Sequence, residues 1–561
     1  MQGASSIAMS VRAPDGKIVT EAKRRKGPGV WGKIPVIRGM ISFVSSLITG
    51  TKCIMKSSAQ AFPEEETPST CATVFATLLG VVIAVALFML LPGWISDIIA
   101  QYTAINILVR SLIEGVLRIT LFILYLLLVS RMKDIRRTFM YHGAEHRTIN
   151  CYEHGFDVTV GNAQKCSTRH NRCGTPFLFF VMIMSILVFS LVAWIMQQIL
   201  GFLPDKWTLM GVRLLCLPLI AGLSYELLRF LALLPDNKFT DIFRAPGLGL
   251  QRLTTYPPEN DMAQVAITAF EAVLKMDADP TYPERDFGEY VLCEVRDEFT
   301  AEFRSAGIDT ADAEWIICAA ANVKRSQLGE KRIIEKQTYA SICEMAEKRL
   351  AGQPLDYILG KSEFYGLTLE VNSDVLIPRP ETELLCEQAV AFLCGKPGAD
   401  VLDLCCGSGC IAAVIAEKTQ ARTVASDISE KALAVARKNA GRRGAEIVAS
   451  DMFASLGNRK FDLIVSNPPY IASGEIPSLQ PEVGHEPVIA LDGGEDGLKF
   501  YRIIASEAPS RINEGGALML EIGWNQAESV SKMLKSTGAF GKIEVIQDLE
   551  GHDRIVKAFK I

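Results

Sequence analysis

Histidine is scarce in this chain, with 6 among 561 residues, yet four of them, His142, His146, His154 and His170, fall in one segment. An apolar run is missing from residues 1–26, which argues against an amino-terminal cleavable signal peptide. No basic tract interrupts the carboxyl-terminal half, so the electrostatic footprint of a nucleic-acid binder is missing there. Long apolar stretches are likewise absent beyond residue 235, and the chain's overall hydrophobicity comes mostly from residues 70–235.

Four stretches within that region, about 72–96, 106–130, 176–199 and 211–234, are long enough to cross a hydrocarbon layer of roughly 30 Å. Arg110, Glu114 and Arg118 recur in the second at helical i, i+4 spacing, so they share a face, can pair, and point inward. The fourth carries Arg213 near one end and Glu226 and Arg229 near the other. Basic residues concentrate before residue 70 (Lys23, Arg24, Arg25 and Lys26) and between 131 and 175 (Arg131, Lys133, Arg136, Arg137, Arg147, Lys165, Arg169 and Arg172). The other two connections hold almost none, Lys206 being the exception. The positive-inside rule then predicts a multi-pass protein of the cell membrane, embedded in the lipid bilayer, with both termini and the middle segment in the cytoplasm. All fourteen cysteines would lie in the cytoplasm or within spans, which argues against a disulfide framework.

The middle segment contains His142-Gly143-Ala144-Glu145-His146, in which His142, Glu145 and His146 are candidate ligands for a divalent metal such as zinc. On a helix the two imidazoles stand one turn apart with a carboxylate beside them. The competing reading is a polar helix end near the membrane, because Gly143 weakens a helix.

The carboxyl-terminal half alternates strand-like and helix-like segments, as a parallel sheet requires. Val401 to Leu404 runs into the turn Cys405-Cys406-Gly407-Ser408-Gly409 and then a helix, a construction that lets backbone approach a ligand closely at a helix N-terminus. Asp403, Cys405, Cys406, Gly407, Ser408 and Gly409 are its candidate cofactor residues. A second strand ends in Asp427, placed to accept hydrogen bonds from ribose hydroxyls, and a third ends at Asp451 and Met452, placed beside an adenine. The fourth, Phe461 to Ser466, stops in Asn467-Pro468-Pro469-Tyr470. Two prolines cannot extend a ladder, so carbonyls and the Asn467 side chain are left free at the strand's carboxyl end. A planar NH2 group could give one hydrogen to Asn467 and one to a proline-region carbonyl, with the Tyr470 ring over its face. That arrangement points to methyl transfer onto an amide or aromatic amine, with Asn467, Pro468, Pro469 and Tyr470 as catalytic and substrate residues and Asn467 also among the candidate cofactor residues. No general base is required, because the methylated nitrogen is acidic enough to lose its proton to water.

Residues from about 288 onward resemble the PrmC/HemK family. The resemblance is carried by Arg349 to Gly360, Leu376-Ile377-Pro378-Arg379-Pro380-Glu381-Thr382-Glu383, the cofactor turn, Asn467 to Tyr470, Glu486-Pro487, and Ala490 to Gly494. It implies S-adenosyl-L-methionine as cofactor, and as substrate the Gly-Gly-Gln glutamine of class I peptide chain release factors. The family usually has Gly-Thr where this chain has Cys405-Cys406, and cysteine is expected to keep φ in the ordinary negative range there. The first 285 residues resemble the YqhQ-type bacterial membrane proteins through Arg38-Gly39-Met40, Tyr141 to Thr148, Arg172 to Thr175 and Arg244 to Thr255.

The expected architecture is multidomain: a helical transmembrane module (1–285), a small helical bundle that docks the substrate (286–370), and an α/β Rossmann-like class I methyltransferase domain (371–561). A nucleic-acid amino-methyltransferase would share the Asn-Pro-Pro-Tyr motif, but it would need a basic groove or recognition insert. A membrane metalloprotein with an accessory methyltransferase domain is the other alternative.

Overall fold

A computed structural model describes residues 1–25, 29–62, 70–103, 107–170, 173–200, 206–234, 238–480 and 482–561. Lys26 and Arg172, two of the basic residues used to predict topology, lie outside these described residues. The chain separates into two compact units, Met1–Val291 with Lys331–Glu335, and Leu292–Glu330 with Lys336–Ile561.

The first unit opens with a hairpin of β1 (Ser6–Arg12) and β2 (Ile18–Arg24), paired antiparallel with Ser6 opposite Arg24. Ala8 and Ala22 pack on Ala272, Val273 and Met276 of the helix Asn260–Ala278. Asp277 ties down the start of the chain, accepting from the Ala4 amide at 2.7 Å and the Ser6 hydroxyl at 2.7 Å. A two-residue ladder joins β3 (Tyr290–Val291) to β4 (Ile333–Ile334).

Four helices in this unit are long and apolar enough to span a membrane: Leu78–Tyr102, Val109–Val129, Pro176–Ile199 and Trp207–Leu231. The first runs to Tyr102, beyond the expected end at 96. A single π-helical turn, Ala86–Leu90, ends two residues before Pro92, in the stretch where a proline leaves a carbonyl without its helical N–H partner. Glu114 is buried and accepts from Arg118 Nη2 at 2.9 Å and Arg213 Nη1 at 2.7 Å. Both guanidinium groups lie over the Phe189 ring, 5.3 and 5.4 Å from its centre. Arg110, expected on the same face, pairs with Asp97 instead. Glu226 accepts from Arg38 Nε at 2.7 Å. Burial of such charges is tolerated because each carboxylate has its guanidinium partner.

Two further helices belong to this unit. The helix Lys133–Glu153 carries His142 and His146 one turn apart, as expected. Gly143 does not break it: a Cβ there would overlap the Tyr256 carbonyl oxygen, so the glycine is what lets the helix press against that backbone. An unanticipated helix, Ile37–Ala61, leaves Ile41, Val44, Leu47, Ile48 and Met55 exposed along one stripe.

The second unit begins with the helices Leu292–Ser305, Thr310–Ala321 and Lys336–Leu350. Their apolar stripes, including Phe299, Phe303, Ile316, Ile317 and Ile342, are buried as the bundle's own core. A hairpin of β5 (Lys361–Phe364) and β6 (Leu367–Glu370) follows. The remaining strands are β7 (Asp400–Leu404), β8 (Arg422–Asp427), β9 (Glu446–Ala449), β10 (Phe461–Ser466), β11 (Ile512–Glu521), β12 (Phe540–Gln547) and β13 (Asp553–Lys560). They form one sheet in the order β12-β13-β11-β10-β7-β8-β9, parallel except for antiparallel β13. Period-two alternation sorts its residues into two layers: Val401, Leu463, Val465 and Met519 face one core, and Leu402, Leu404, Ile464 and Leu518 the other. The strand order reverses between β7 and β10, which opens a crevice at their carboxyl ends, where open α/β sheets bind ligands.

Candidate active site and metal cluster

A cavity of about 350 Å³ occupies that crevice, within the size range of small-molecule sites. Cys405, Cys406, Gly407, Ser408, Asp427, Asp451, Met452, Asn467 and Pro469 line it, so one space gathers the ends of β7, β8, β9 and β10. Asp403, Gly409, Pro468 and Tyr470 do not. Asp403 lies behind the turn, fully buried, with Oδ2 accepting from the Ala412 amide at 2.9 Å and Oδ1 without a partner among the described residues. Burial pushes its carboxyl up to about 8, so the group that holds the turn to the following helix is neutral near pH 7. Tyr470 packs against the core on the β11 side, and its carbonyl accepts from Gln526 Nε2 at 2.9 Å.

The turn itself departs from expectation. Cys405 has φ +61°, in the left-handed region, with Gly407 at +52° and Gly409 at +76°. Cysteine here adopts the backbone that glycine adopts freely, and its Sγ rests 3.8 Å from Met452 Sδ. Burial raises the thiols of Cys405, Cys406 and Cys410, which disfavours the thiolate form at each. Asp427 supports the same turn: Oδ2 accepts from the Gly407 amide at 2.9 Å and Oδ1 from the Ser429 amide at 2.9 Å.

Several contributors carried no assigned role in the sequence. Thr382 lines the cavity and accepts from Asn467 Nδ2 at 3.1 Å. Arg379 donates from Nη2 to Glu486 Oε2 at 2.6 Å, joining two of the motifs quoted above, and Glu486 Oε1 accepts from the Ile377 amide at 3.2 Å. Burial raises the Glu486 carboxyl, against the pull of Arg379. Gly493 lies beside Pro469 and Tyr470, and its amide donates to the Ile471 carbonyl at 2.8 Å, bracing the chain as it leaves β10.

In the first unit, His142, His146 and Cys173 bring their ligand atoms within 4.8 Å of one another. His142 Nδ1 contacts the Thr254 carbonyl at 3.0 Å and His146 Nδ1 the Thr168 carbonyl at 2.7 Å. A carbonyl only accepts, so each Nδ1 carries the proton and each Nε2 presents a lone pair, the arrangement typical of metal-bound imidazoles. His142 Nε2 lies 3.3 Å from Cys173 Sγ. Glu145, the third residue of the expected set, is not among these mutually close ligand atoms. Cys173 takes its place from 31 residues along the chain. His170 stands nearby, bonded through Nε2 to Glu153 at 3.0 Å.

Three family models match the chain: "PrmC N-terminal domain" over residues 294–360, "Methyltransferase small domain" over 382–483, and "Protein of unknown function (DUF1385)" over 34–276. A release factor glutamine methyltransferase of Geobacter sulfurreducens is 42% identical over 258 residues, which are 45% of this chain and 90% of that protein. The chain belongs to the release factor glutamine methyltransferase family. The family's member from Caulobacter vibrioides is 38% identical over 267 residues, covering 46% of this chain and 92% of that protein. A methyltransferase structure from Pyrococcus furiosus is 22% identical and covers 35% of this chain and 90% of that one, with a TM-score of 0.26. The family implies S-adenosylmethionine as the cofactor. The cavity residues fit such a group: a short turn with accessible backbone, an acid at the end of β8, and an apolar Met452 wall.

The strain at Cys405 generates a prediction. Cys405→Gly should relieve a left-handed non-glycine residue and stabilise the protein by about 1 kcal/mol, read as a higher Tm. An unchanged or lower Tm would show that the turn holds no such strain.

Proposed function

We propose that the second unit transfers the methyl group of S-adenosylmethionine to the side-chain amide of the glutamine in the Gly-Gly-Gln motif of class I peptide chain release factors. The observation that carries this reading is Asn467, presented at the end of β10 in the same cavity as the Gly407 turn and Asp427. Asp427 would hold the ribose, Asp451 and Met452 the adenine, and the turn from Cys405 to Gly409 the methionine part, with Asp403 anchoring the turn from behind. Asn467 Oδ1 and a carbonyl of the Pro468–Pro469 pair would accept the two hydrogens of the substrate amide, while Tyr470 fixes the chain that presents them.

An amide nitrogen is a poor nucleophile because its lone pair is delocalised into the carbonyl. Holding both N–H bonds aims that lone pair at the methyl group, and such orientation can contribute about 7–11 kcal/mol. Acceptors that strengthen as positive charge develops on nitrogen add roughly 3 kcal/mol each. The helical region within 286–370 would dock the release factor, and residues 371–561 would do the chemistry. No nucleic acid enters this reading, since no basic tract or insert interrupts the unit.

For the first unit we infer a multi-pass module in the lipid bilayer with both termini in the cytoplasm, from the four apolar helices and the distribution of basic residues. Zinc would suit His142, His146 and Cys173, because two imidazoles and a thiolate are ligands it favours and their 3.3 Å N···S separation is close to the roughly 3.5 Å edge of a zinc tetrahedron.

Asn467→Ala should leave S-adenosylmethionine affinity intact by calorimetry while lowering turnover about a hundredfold, whereas Asp427→Ala should weaken cofactor binding by about 1.5–3 kcal/mol. Wild-type turnover in Asn467→Ala would refute the site. Cys394, exposed on the second unit, should react with an impermeant thiol reagent only after cells are permeabilised, and labelling of intact cells would overturn the topology. The purified chain should carry about one zinc per molecule by elemental analysis, lost in Cys173→Ala and retained in Glu145→Gln. Loss in Glu145→Gln with retention in Cys173→Ala would overturn this ligand set.

A further inference from the structure

One cluster of buried charge among the long apolar helices carries an excess. Glu114 sits between two guanidinium groups: Oε1 accepts from Arg118 Nη2 at 2.9 Å and from Arg213 Nη1 at 2.7 Å, and Oε2 accepts from Arg213 Nη2 at 3.1 Å. Arg110, one turn before Glu114, is matched by Asp97. Two arginines therefore share one carboxylate, and among the described residues one positive charge is left over.

The two arginines are not equally satisfied. Arg118 also donates from Nε to the Phe88 carbonyl at 2.9 Å and from Nη1 to Ser185 Oγ at 3.1 Å. Arg213 Nε is buried and has no hydrogen-bond partner among the described residues. Glu114 takes the end of the Arg213 fork, so the side edge that carries the Nε–H remains open. Arg213 lines a cavity of about 10 Å³ together with Ser111 and Ser190. Close packing makes that cavity: a Cβ on Gly115 would overlap Ile186, so the glycine lets the two helices approach, and Ser111 and Ser190 each stand one turn from this contact. Neither serine hydroxyl has a hydrogen-bond partner among the described residues. Three residues with an uncommitted donor thus line one small space beside an excess positive charge.

We propose that this cavity is an anion site that binds one chloride ion between Arg213, Ser111 and Ser190. Charge and size together select the ligand. A water molecule could accept from Arg213 Nε but would leave the excess charge in place, whereas a monovalent anion neutralises the cluster. The cavity has room for about one water-sized particle, so a phosphate, a sulfate or a lipid headgroup is too large for it. Glu114 lines the same cavity, but both of its oxygens are engaged by the two guanidinium groups that outweigh it. The Phe189 ring lies against both guanidinium groups and supplies only the partial charge of a π face. Glu114 and Arg213 each come seven residues after the starts of their helices, Ile107 and Lys206, which is about 10 Å along the axis. The site therefore lies toward the end of the bundle away from the helix Lys133–Glu153, and its ionisable groups are of the kind that mark ion sites in membrane proteins.

The test uses the full chain in detergent, purified in gluconate, an anion too large for the cavity. Exchanging gluconate for chloride or bromide at constant ionic strength should raise the Tm of the first unit by about 3 °C and then saturate, whereas sulfate should have no such effect. Crystals grown in bromide should show one anomalous scatterer beside Arg213, Ser111 and Ser190. Arg213→Gln, which leaves Glu114 and Arg118 as a neutral pair, should lose the halide response, and Arg110→Gln should keep it. A wild-type Tm that is the same in gluconate, chloride and bromide overturns the proposal without any variant, as does a halide response that persists in Arg213→Gln. Should Arg213→Gln fail to fold, the bromide position decides: a scatterer beside these three residues supports the site, and water in the cavity with bromide elsewhere overturns it.

Discussion

The termination of β10 by Pro468 and Pro469 is the constraint on which the catalytic unit depends. The strand lies between β7 and β11, and its pairings run through Ser466, opposite Leu404 on one side and Leu520 on the other. One residue later the ladder must stop, because proline has no N–H to give. Asn467 is thereby held by a rigid, buried strand yet left with its side chain uncommitted to the sheet. The reversal of strand order at β7 and β10 puts the cofactor turn alongside, and the Gly493 segment and the Arg379–Glu486 pair support the surrounding wall. A reacting group on a strand end is positioned more tightly than one on a free loop, which suits a reaction that relies on aiming a weak nucleophile.

Much of this unit was legible in the sequence, for a physical reason. Strands buried on both faces read as short apolar runs, and here each ends in a distinct punctuation: the small-residue turn after Leu404, the acids Asp427 and Asp451, and the two prolines. The observed β10, Phe461–Ser466, matches the expected run residue for residue. What stayed hidden depends on distance in the chain. Thr382 meets Asn467 across 85 positions, and Cys173 meets His142 across 31, so no local pattern announces either partner. Cys405 misled because a cysteine gives no sign of a left-handed backbone; only its place in a turn that usually holds glycine could have suggested it.

The membrane unit was legible in outline and not in detail. Apolar length revealed four helices, since length and hydropathy are all that spanning requires. The hairpin of β1 and β2 escaped notice because polar and charged residues interrupt both short strands, and the helix Ile37–Ala61 because its apolar residues are spread along one stripe rather than in a run. The helical spacing of Arg110, Glu114 and Arg118 correctly implied an inward face, but Arg213, from another helix, supplies Glu114 with its second partner while Arg110 turns to Asp97. Spacing along one helix fixes which residues share a face; it cannot say which neighbouring helix will meet them.

The most direct measurement is mass spectrometry of a class I release factor after incubation with the purified full chain and S-adenosylmethionine, beside a release factor whose Gly-Gly-Gln glutamine has been substituted. The account predicts one added methyl group on the peptide containing that glutamine and none on the substituted protein. An unmodified glutamine in the presence of a folded, cofactor-binding chain, or methylation of the substituted control, would contradict it.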